Sequence, residues 1–363
     1  MKNLFELVES TIPRTQLSKL EEFYSGKNII VTGGASFIGS NLVELLLALN
    51  AKIKVIDDFS SGSPDNLLGK DEINLVQDDL RNIDVARKQI RNAEVVFHLA
   101  AIHGGRGFIE KYKQEMLANL AIDNNVFAAG LENGITNMVH ASSACAYPIT
   151  LQESEVSRNL LSESQASMEK PEHSFADGVY GWTKLIGEYQ LQNHCSDKGM
   201  RGRSARIFTA YGERENESHA AIALIAKALL KADPYPIWGN GQQTRNFTHV
   251  ADTALGLAFL GADETGPSFD VFNIGTSEHI KVIDFVEEIF KQTNWAPTTI
   301  DFQLDKPTGV ASRASNNDKI LAKFSWSPSI GIREGLARTI GWYRSLQNKP
   351  KSLFELEERL SAR

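Results

Sequence analysis

Asn28-Ile29-Ile30-Val31-Thr32-Gly33-Gly34-Ala35-Ser36-Phe37-Ile38-Gly39 is the stretch that decides the fold. Asn28–Val31 is apolar and β-branched, the composition of a buried strand. Ser40–Leu49 is an apolar run of helical length. Between them stands Gly33-x-x-Ser36-x-x-Gly39. Glycines at such a turn let the backbone double back and approach a pyrophosphate, which sits on the N-terminus of the following helix. The middle position is Ser36 where a third glycine is usual. Serine still offers an N–H and a hydroxyl but allows a less close approach. A glycine-rich turn alone is a weak signal, so the surrounding pattern has to carry it.

Working outward, apolar strand-like runs recur at Ile53–Ile56, Ile73–Val76, Val95–Leu99 and Met138–Ala141, with a long helical segment near Tyr112–Glu132. Strand–helix alternation of this kind specifies an α/β protein: a Rossmann-type, doubly wound parallel sheet covered on both faces. After Arg206 the rhythm loosens, and turn signals cluster at Tyr235-Pro236, Gly239-Asn240-Gly241 and Gly275-Thr276. A smaller C-terminal α/β lobe is expected there. The division is then a helical extension over 1–25, a cofactor-binding domain over 26–208 and mainly a substrate lobe over 209–363. In the extension, Leu4, Phe5 and Val8, then Leu17, Leu20 and Phe23, recur at helical spacing on either side of Pro13. They read as two amphipathic helices lying on the domain, or as an arm for a partner. Residues 149–178 are polar, rich in Ser and Glu, and read as a mobile loop over the site.

Composition narrows the function classes. A net charge of −7 argues against nucleic-acid or anionic-membrane binding, while leaving room for a local basic pocket. No apolar run reaches the roughly 18 residues of a membrane span, and the N-terminus lacks the pattern of a secretory signal. Cys145 and Cys195 alone make no disulfide framework, so a reducing cytoplasm is expected. No Cys/His cluster has zinc-ligand spacing, so no metal is expected.

Asp57 ends the second strand about 20 residues beyond the glycine turn, where a carboxylate takes a ribose 2′-hydroxyl and repels a 2′-phosphate. NAD is thus favoured over NADP, against the plainer reading of Asp57-Asp58 as a solvated strand end. Asp79-Leu80 after the third strand suits contacts to adenine. His98-Leu99-Ala100-Ala101 after the fourth suits the floor under the nicotinamide ribose.

Ala141-Ser142-Ser143-Ala144-Cys145-Ala146-Tyr147-Pro148 follows the next strand, and Tyr180-x-x-x-Lys184 follows the loop. Ser143, Tyr180 and Lys184 are the parts needed to move a hydride at a carbinol. A phenol titrates near 10 and needs a neighbouring cation to act near neutrality; one helical turn puts Tyr180 and Lys184 on one face. Cys145 is a further acid/base two residues from Ser143, or else a buried structural thiol. His194 and Cys195 fall on the far side of a helix and read as structural.

Taken in order, these motifs resemble the extended short-chain dehydrogenases/reductases, in the NAD-dependent nucleotide-sugar epimerase/dehydratase family, over roughly Lys27 to Trp342. That resemblance implies that Tyr180 is the base for a sugar hydroxyl, Lys184 tunes it and holds the nicotinamide ribose, and Ser143 binds the reacting oxygen. It assigns the NAD site to Gly33, Ala35, Ser36, Phe37, Ile38, Gly39, Asp57, Asp79, Leu80, Leu99, Ala100, Ala101, Tyr180 and Lys184. Ser143-x-Cys145-x-Tyr147-Pro148 is similar to the motif of the GDP-mannose 3,5-epimerases and GDP-fucose synthases. His98 through Ile109 and Trp238 through Thr248 resemble the former. In both groups the cysteine is one acid/base for epimerisation through a 4-ketone. The second is Lys in the former and His in the latter, and Ser218-His219-Ala220 matches the His form. His219 is therefore the candidate partner of Cys145, or simply a helix-opening residue. The nucleotide-diphospho-sugar is assigned to His103, Gly104, Gly105, Ser142, Ser143, Thr209, Arg245 and Arg313. The two arginines resemble the family's diphosphate clamps, with surface pairing as the alternative.

Two departures bear on substrate and reaction. Thr209 stands where the family usually has an Asn that helps place the phosphates. Ser143-Ala144-Cys145 replaces the Thr-Asp-Glu of the 4,6-dehydratases, which argues against elimination. The resemblance implies an NAD-dependent epimerase inverting C3 and/or C5 through a 4-keto sugar. Alternatives are an epimerase-reductase, a simple C4 epimerase, or a non-catalytic NAD-binding regulator. It also implies a homodimer through the Tyr180/Lys184 helix and its neighbour.

Overall fold

The computed structural model describes residues 3–156, 158–195 and 199–361. Residues 1, 2, 157, 196–198, 362 and 363 of the expected segments lie outside the described residues.

Two helices, α1 (Leu4–Thr11) and α2 (Arg14–Tyr24), precede β1 (Asn28–Thr32), α3 (Phe37–Ala48), β2 (Lys52–Asp57), β3 (Ile73–Gln77), α4 (Ile83–Gln89) and β4 (Val95–His98). Next come α5 (Arg106–Lys111), α6 (Lys113–Met116), α7 (Ala118–Glu132), β5 (Asn137–Ser143), α8 (Gly178–Cys195) and β6 (Arg201–Ile207). The long helix expected near Tyr112–Glu132 is thus broken, with non-helical backbone at Tyr112. The second half adds β7 (Ala210–Tyr211), α9 (Ala220–Leu229), β8 (Tyr235–Trp238), β9 (Thr244–Arg245), β10 (Thr248–His249), α10 (Val250–Gly261), β11 (Phe269–Ile274) and β12 (Ile280–Lys281). It ends with α11 (Val282–Thr293), β13 (Ile300–Gln303), α12 (Asp318–Phe324), α13 (Ile332–Ser345) and α14 (Leu353–Ser361).

Seven strands form the Rossmann-type sheet expected from the alternation, in the order β11-β6-β5-β4-β1-β2-β3. Every pair is parallel. The strand order reverses at β1 and β4, where ligands bind beyond the carboxyl ends of such sheets. Thr32-Gly33 and His98-Leu99 stand at those two ends. The chain also re-enters this sheet late: β11 pairs with β6, and α10, buried along its whole length, packs on α3. A helix apolar all round has to lie inside. The division at residue 208 therefore follows chain order, while the sheet itself draws on residues 250–274.

The extension is part of the core. Leu4, Leu7, Val8, Leu17, Leu20 and Tyr24 are buried with residues of α3 and α10, and the Tyr24 hydroxyl donates to the Ala258 carbonyl at 2.6 Å. That apolar face is already covered by its own chain. The described residues of 149–178 include three short 3₁₀ turns, Ile149–Leu151, Glu163–Gln165 and Pro171–His173. Leu161, Ala166 and Ala176 pack with Tyr147 and Phe208, and the Leu161 N–H donates to the Ala314 carbonyl at 3.0 Å. The second lobe has its own core around Tyr211, Tyr235, Phe247 and Phe285.

Candidate active site

The glycine turn is shaped as the chemistry demands. Gly33 has a positive φ of 66°, and a Cβ there would lie 2.8 Å from the Ala100 nitrogen. A Cβ on Gly39 would overlap the Gly33 carbonyl. The Ser36 hydroxyl donates to that carbonyl at 2.6 Å and does not cap α3, so the first-turn N–H groups remain turned toward the cleft. Asp57 is held at the end of β2 by the Ala35 and Phe59 N–H groups, each at 2.9 Å. The turn and the fixed carboxylate fit a dinucleotide.

A cleft of about 700 Å³ opens from this turn. It is lined by Ser36, Phe37, Ile38, Leu99 and Ala101 on the cofactor side, and by His103, Gly105, Ser142, Ser143, Cys145, Tyr180, Lys184, Thr209, His219 and Arg313. Gly33, Ala35, Gly39, Asp57, Ala100, Gly104 and Arg245 are not among its lining residues. Asp79 and Leu80 are also absent from it: the Asp79 carboxylate is paired with Arg81 at 2.6 Å, and Leu80 is buried in the core below. The Asp79 side chain therefore faces its own neighbour rather than the cleft.

Ser143 ends β5 and its hydroxyl accepts from the Cys145 N–H at 3.1 Å. Tyr180 lines the same cleft as Ser143, whose hydroxyl favours the ionised phenol. Burial drives the phenol well above its ordinary value, with Cys145 and Asp123 adding to the rise. Lys184 Nζ is 5.9 Å from the Tyr180 ring centre. Burial lowers the lysine against the pull of Asp123 and Glu188. Ser142 is tied below: its hydroxyl donates at 2.5 Å to Glu188, which also takes Arg206 at 2.9 and 2.7 Å.

Cys145 lies in the short turn after β5, half-buried, and its sulfur accepts from Arg313 Nη1 at 3.3 Å. His219 precedes α9, with Nδ1 3.0 Å from Glu215 Oε1. Its ring centre is 5.0 Å from that of His103, which is 5.5 Å from that of Tyr180. Gly105 matters to this contact, because a Cβ there would overlap the Ser218 carbonyl. Arg245 donates to the Thr244 and Thr308 carbonyls, each at 2.7 Å. Burial, with Arg313 and Arg106 nearby, lowers it to about 9.

Several participants went unnoticed in the sequence. Asp177 accepts from Arg106 at 3.1 Å and from Arg313 at 2.9 Å, and Gln152 accepts from Arg313 Nε at 2.6 Å. Glu215 stands four residues before His219 in the non-helical segment ahead of α9. Trp342 on α13, Arg359 on α14 and Asn348 between them line the outer cleft, and no motif announces them. Among the described residues no group of three His, Cys, Asp or Glu is placed to hold a metal ion, and no helix is long and apolar enough to cross a membrane.

A family model described as the NAD dependent epimerase/dehydratase family matches residues 29–275. A GDP-mannose 3,5-epimerase of Arabidopsis thaliana is 29% identical over 340 residues, covering 92% of this chain and 86% of that protein. One from Oryza sativa subsp. indica is 30% identical over 331 residues, covering 89% and 83%. Among solved structures, a UDP-glucuronic acid 4-epimerase from Bacillus cereus, in complex with UDP-glucuronic acid and NAD, superposes with a TM-score of 0.75 at 26% identity. The match covers 87% of this chain and 99% of that one.

Proposed function

Because the chain belongs to the NAD-dependent epimerase/dehydratase family, whose enzymes use NAD, we propose that it inverts C3 and/or C5 of a nucleotide-diphospho-sugar through a 4-keto intermediate. The observation that carries this is the sharing of one cleft by two sets of groups: Ser143, Tyr180 and Lys184, and the acid/base pair Cys145 and His219. Bound NAD supplies the acceptor for the C4 hydrogen and returns it at the end. Tyr180 takes the C4 hydroxyl proton, with Ser143 holding the oxygen and Lys184 supplying positive charge. The ketone acidifies the neighbouring carbons, because the carbanion is delocalised as an enolate. Cys145 removes a proton from one face and His219 returns one from the other, or the reverse. Protonatable groups suited to near-neutral transfer contribute about 10²–10⁴-fold each. The Arg313 fork suits a diphosphate or the sugar, and Arg245 holds the wall behind it. Asp57 is placed to favour NAD over NADP. A cytoplasmic homodimer formed through α7 and α8 completes the proposal.

The test is incubation with GDP- and UDP-sugars in heavy water. Deuterium at C3 or C5, lost in Cys145→Ala while reduced cofactor still forms, is the expected result. C4 inversion without label would instead make Cys145 a bystander held by Arg313, the simple 4-epimerase reading that the Bacillus cereus neighbour favours. Stoichiometric NADPH consumption would point to an epimerase-reductase, and NAD binding without turnover to a regulator.

A further inference from the structure

Beneath the nicotinamide end lies a polar cluster that the chemistry above does not use. Asp123, on α7, is fully buried. Its Oδ1 is 3.0 Å from His98 Nε2, and its Oδ2 is 3.5 Å from His140 Nε2. The far nitrogens of both rings are occupied. His98 Nδ1 is 2.7 Å from the Thr32 hydroxyl, which itself accepts from the Ala100 N–H. His140 Nδ1 is 3.0 Å from the Ser204 hydroxyl. A hydroxyl both donates and accepts, so Thr32 satisfies His98 Nδ1 while His98 Nε2 faces Asp123. Burial pushes His98 below its ordinary value, and Asp123, held ionised, brings a negative charge into this buried site.

Helix α8 comes directly against that charge. A Cβ on Gly187 would run into Asp123 Oδ2 and lie 2.9 Å from the His140 ring, so only glycine lets the helix approach. Lys184 stands one helical turn earlier on the same face. The other carboxylate near it, Glu188, is committed to Arg206 in a two-point pair. Tyr180, the remaining titratable group of α8 that feels Asp123, is neutral.

We infer that Asp123 is the buried counter-ion of Lys184, and that His98 and His140 are its positioning partners. They hold one carboxylate under the lysine and so keep the ammonium charged beneath the nicotinamide ribose. Four strands and two helices of the cofactor half meet at this point: Thr32 on β1, His98 on β4, His140 on β5, Ser204 on β6, Asp123 on α7 and Lys184 on α8. Asp123 is thus a positioning residue acting through Lys184. The electrostatics agree in direction: burial pushes the Asp123 carboxyl up, but Lys184, His140 and His98 reverse this and hold it ionised. The inference rests on Lys184 serving the hydride step, as proposed above.

The experiment uses the full chain without ligand, carrying lysine labelled with ¹³C at Cε. The Lys184 signal is identified by its loss in Lys184→Arg. In Asp123→Asn its proton affinity should weaken about tenfold or more, one pH unit in midpoint. An unmoved midpoint overturns the inference. If Asp123→Asn does not fold, the wild-type Lys184 signal decides: an ammonium at about pH 7 is expected, and a neutral amine overturns the inference. Because no substrate is present, failure of the heavy-water test leaves this result standing, and the converse also holds.

Discussion

Arg313 donates through Nη1 to the Cys145 sulfur at 3.3 Å while its Nη2 grips Asp177 at 2.9 Å. Its Nε reaches Gln152 at 2.6 Å, so one planar fork fixes three acceptors along the connection between β5 and α8. Burial disfavours its charge, but Cys145 and Asp177 outweigh that and keep it a guanidinium. Lysine carries the charge without the fork. Arg313→Lys should cut heavy-water labelling up to about 100-fold, the usual cost of misplacing a reacting group by an ångström, while NAD affinity by calorimetry stays put. Unchanged labelling would show that the fork is dispensable.

Glu215 is buried and accepts from His219 Nδ1, which leaves Nε2 as the nitrogen for proton transfer. Burial raises the Glu215 carboxyl and His219 pulls it back. Glu215→Gln keeps the shape and loses the orienting charge. We expect labelling to slow by about tenfold or more and the acidic limb of its pH profile to shift, with the substrate KM little changed. A parallel fall at every pH would mark Glu215 as merely structural.

Gly181 lies where a side chain would collide with the Cys145 carbonyl. Alanine favours a helix by up to about 1 kcal/mol over glycine. Here the obstacle is backbone that also accepts the Asp177 N–H at 2.8 Å, so it has little room to retreat. Gly181→Ala should therefore destabilise the protein by about 1–2 kcal/mol net. Cys145 would move from Arg313. A raised melting temperature with full labelling would contradict this.

Glu213 bridges β10 and α13, its carboxylate lying 3.1 Å from His249 Nε2 and 3.0 Å from Arg338 Nη2. Burial pushes its carboxyl up, but His249 and Arg338 more than reverse this and hold it at about 2. A carboxyl lowered on folding contributes stability that is complete above its unfolded value and fades as pH falls toward the folded one. The window is therefore about pH 4.5 down to 2, on the order of 3 kcal/mol in full. Glu213→Gln should lower stability at pH 7 and flatten the acid loss within that window, as read by melting temperature against pH.

The local parts of the protein were legible because they depend on neighbours in the chain. Asn28 to Gly39 announces a strand, a turn and a helix through composition and glycine placement alone. Tyr180 and Lys184 declare a shared face through helical spacing. Asp79 shows the limit of such inference: its position after β3 suits adenine, but Arg81 two residues on captures the carboxylate. The helical extension was visible as pattern, yet its partner was not. Tyr24 meets Ala258, 234 residues away.

By itself the sequence determined the parallel sheet, the glycine turn and the shared face of Tyr180 and Lys184, since periodicities of two and 3.6 and tight turns are written in short stretches. Only the tertiary structure decided what surrounds them. Parallel crossovers carry β4, β5 and β6 side by side, which sets Asp123 between His98 and His140 under Lys184. The loop over 149–178 and the segment before α12 meet at Asp177 and Arg313. These contacts join residues many tens of positions apart. Their register follows from packing and burial, which no local pattern encodes.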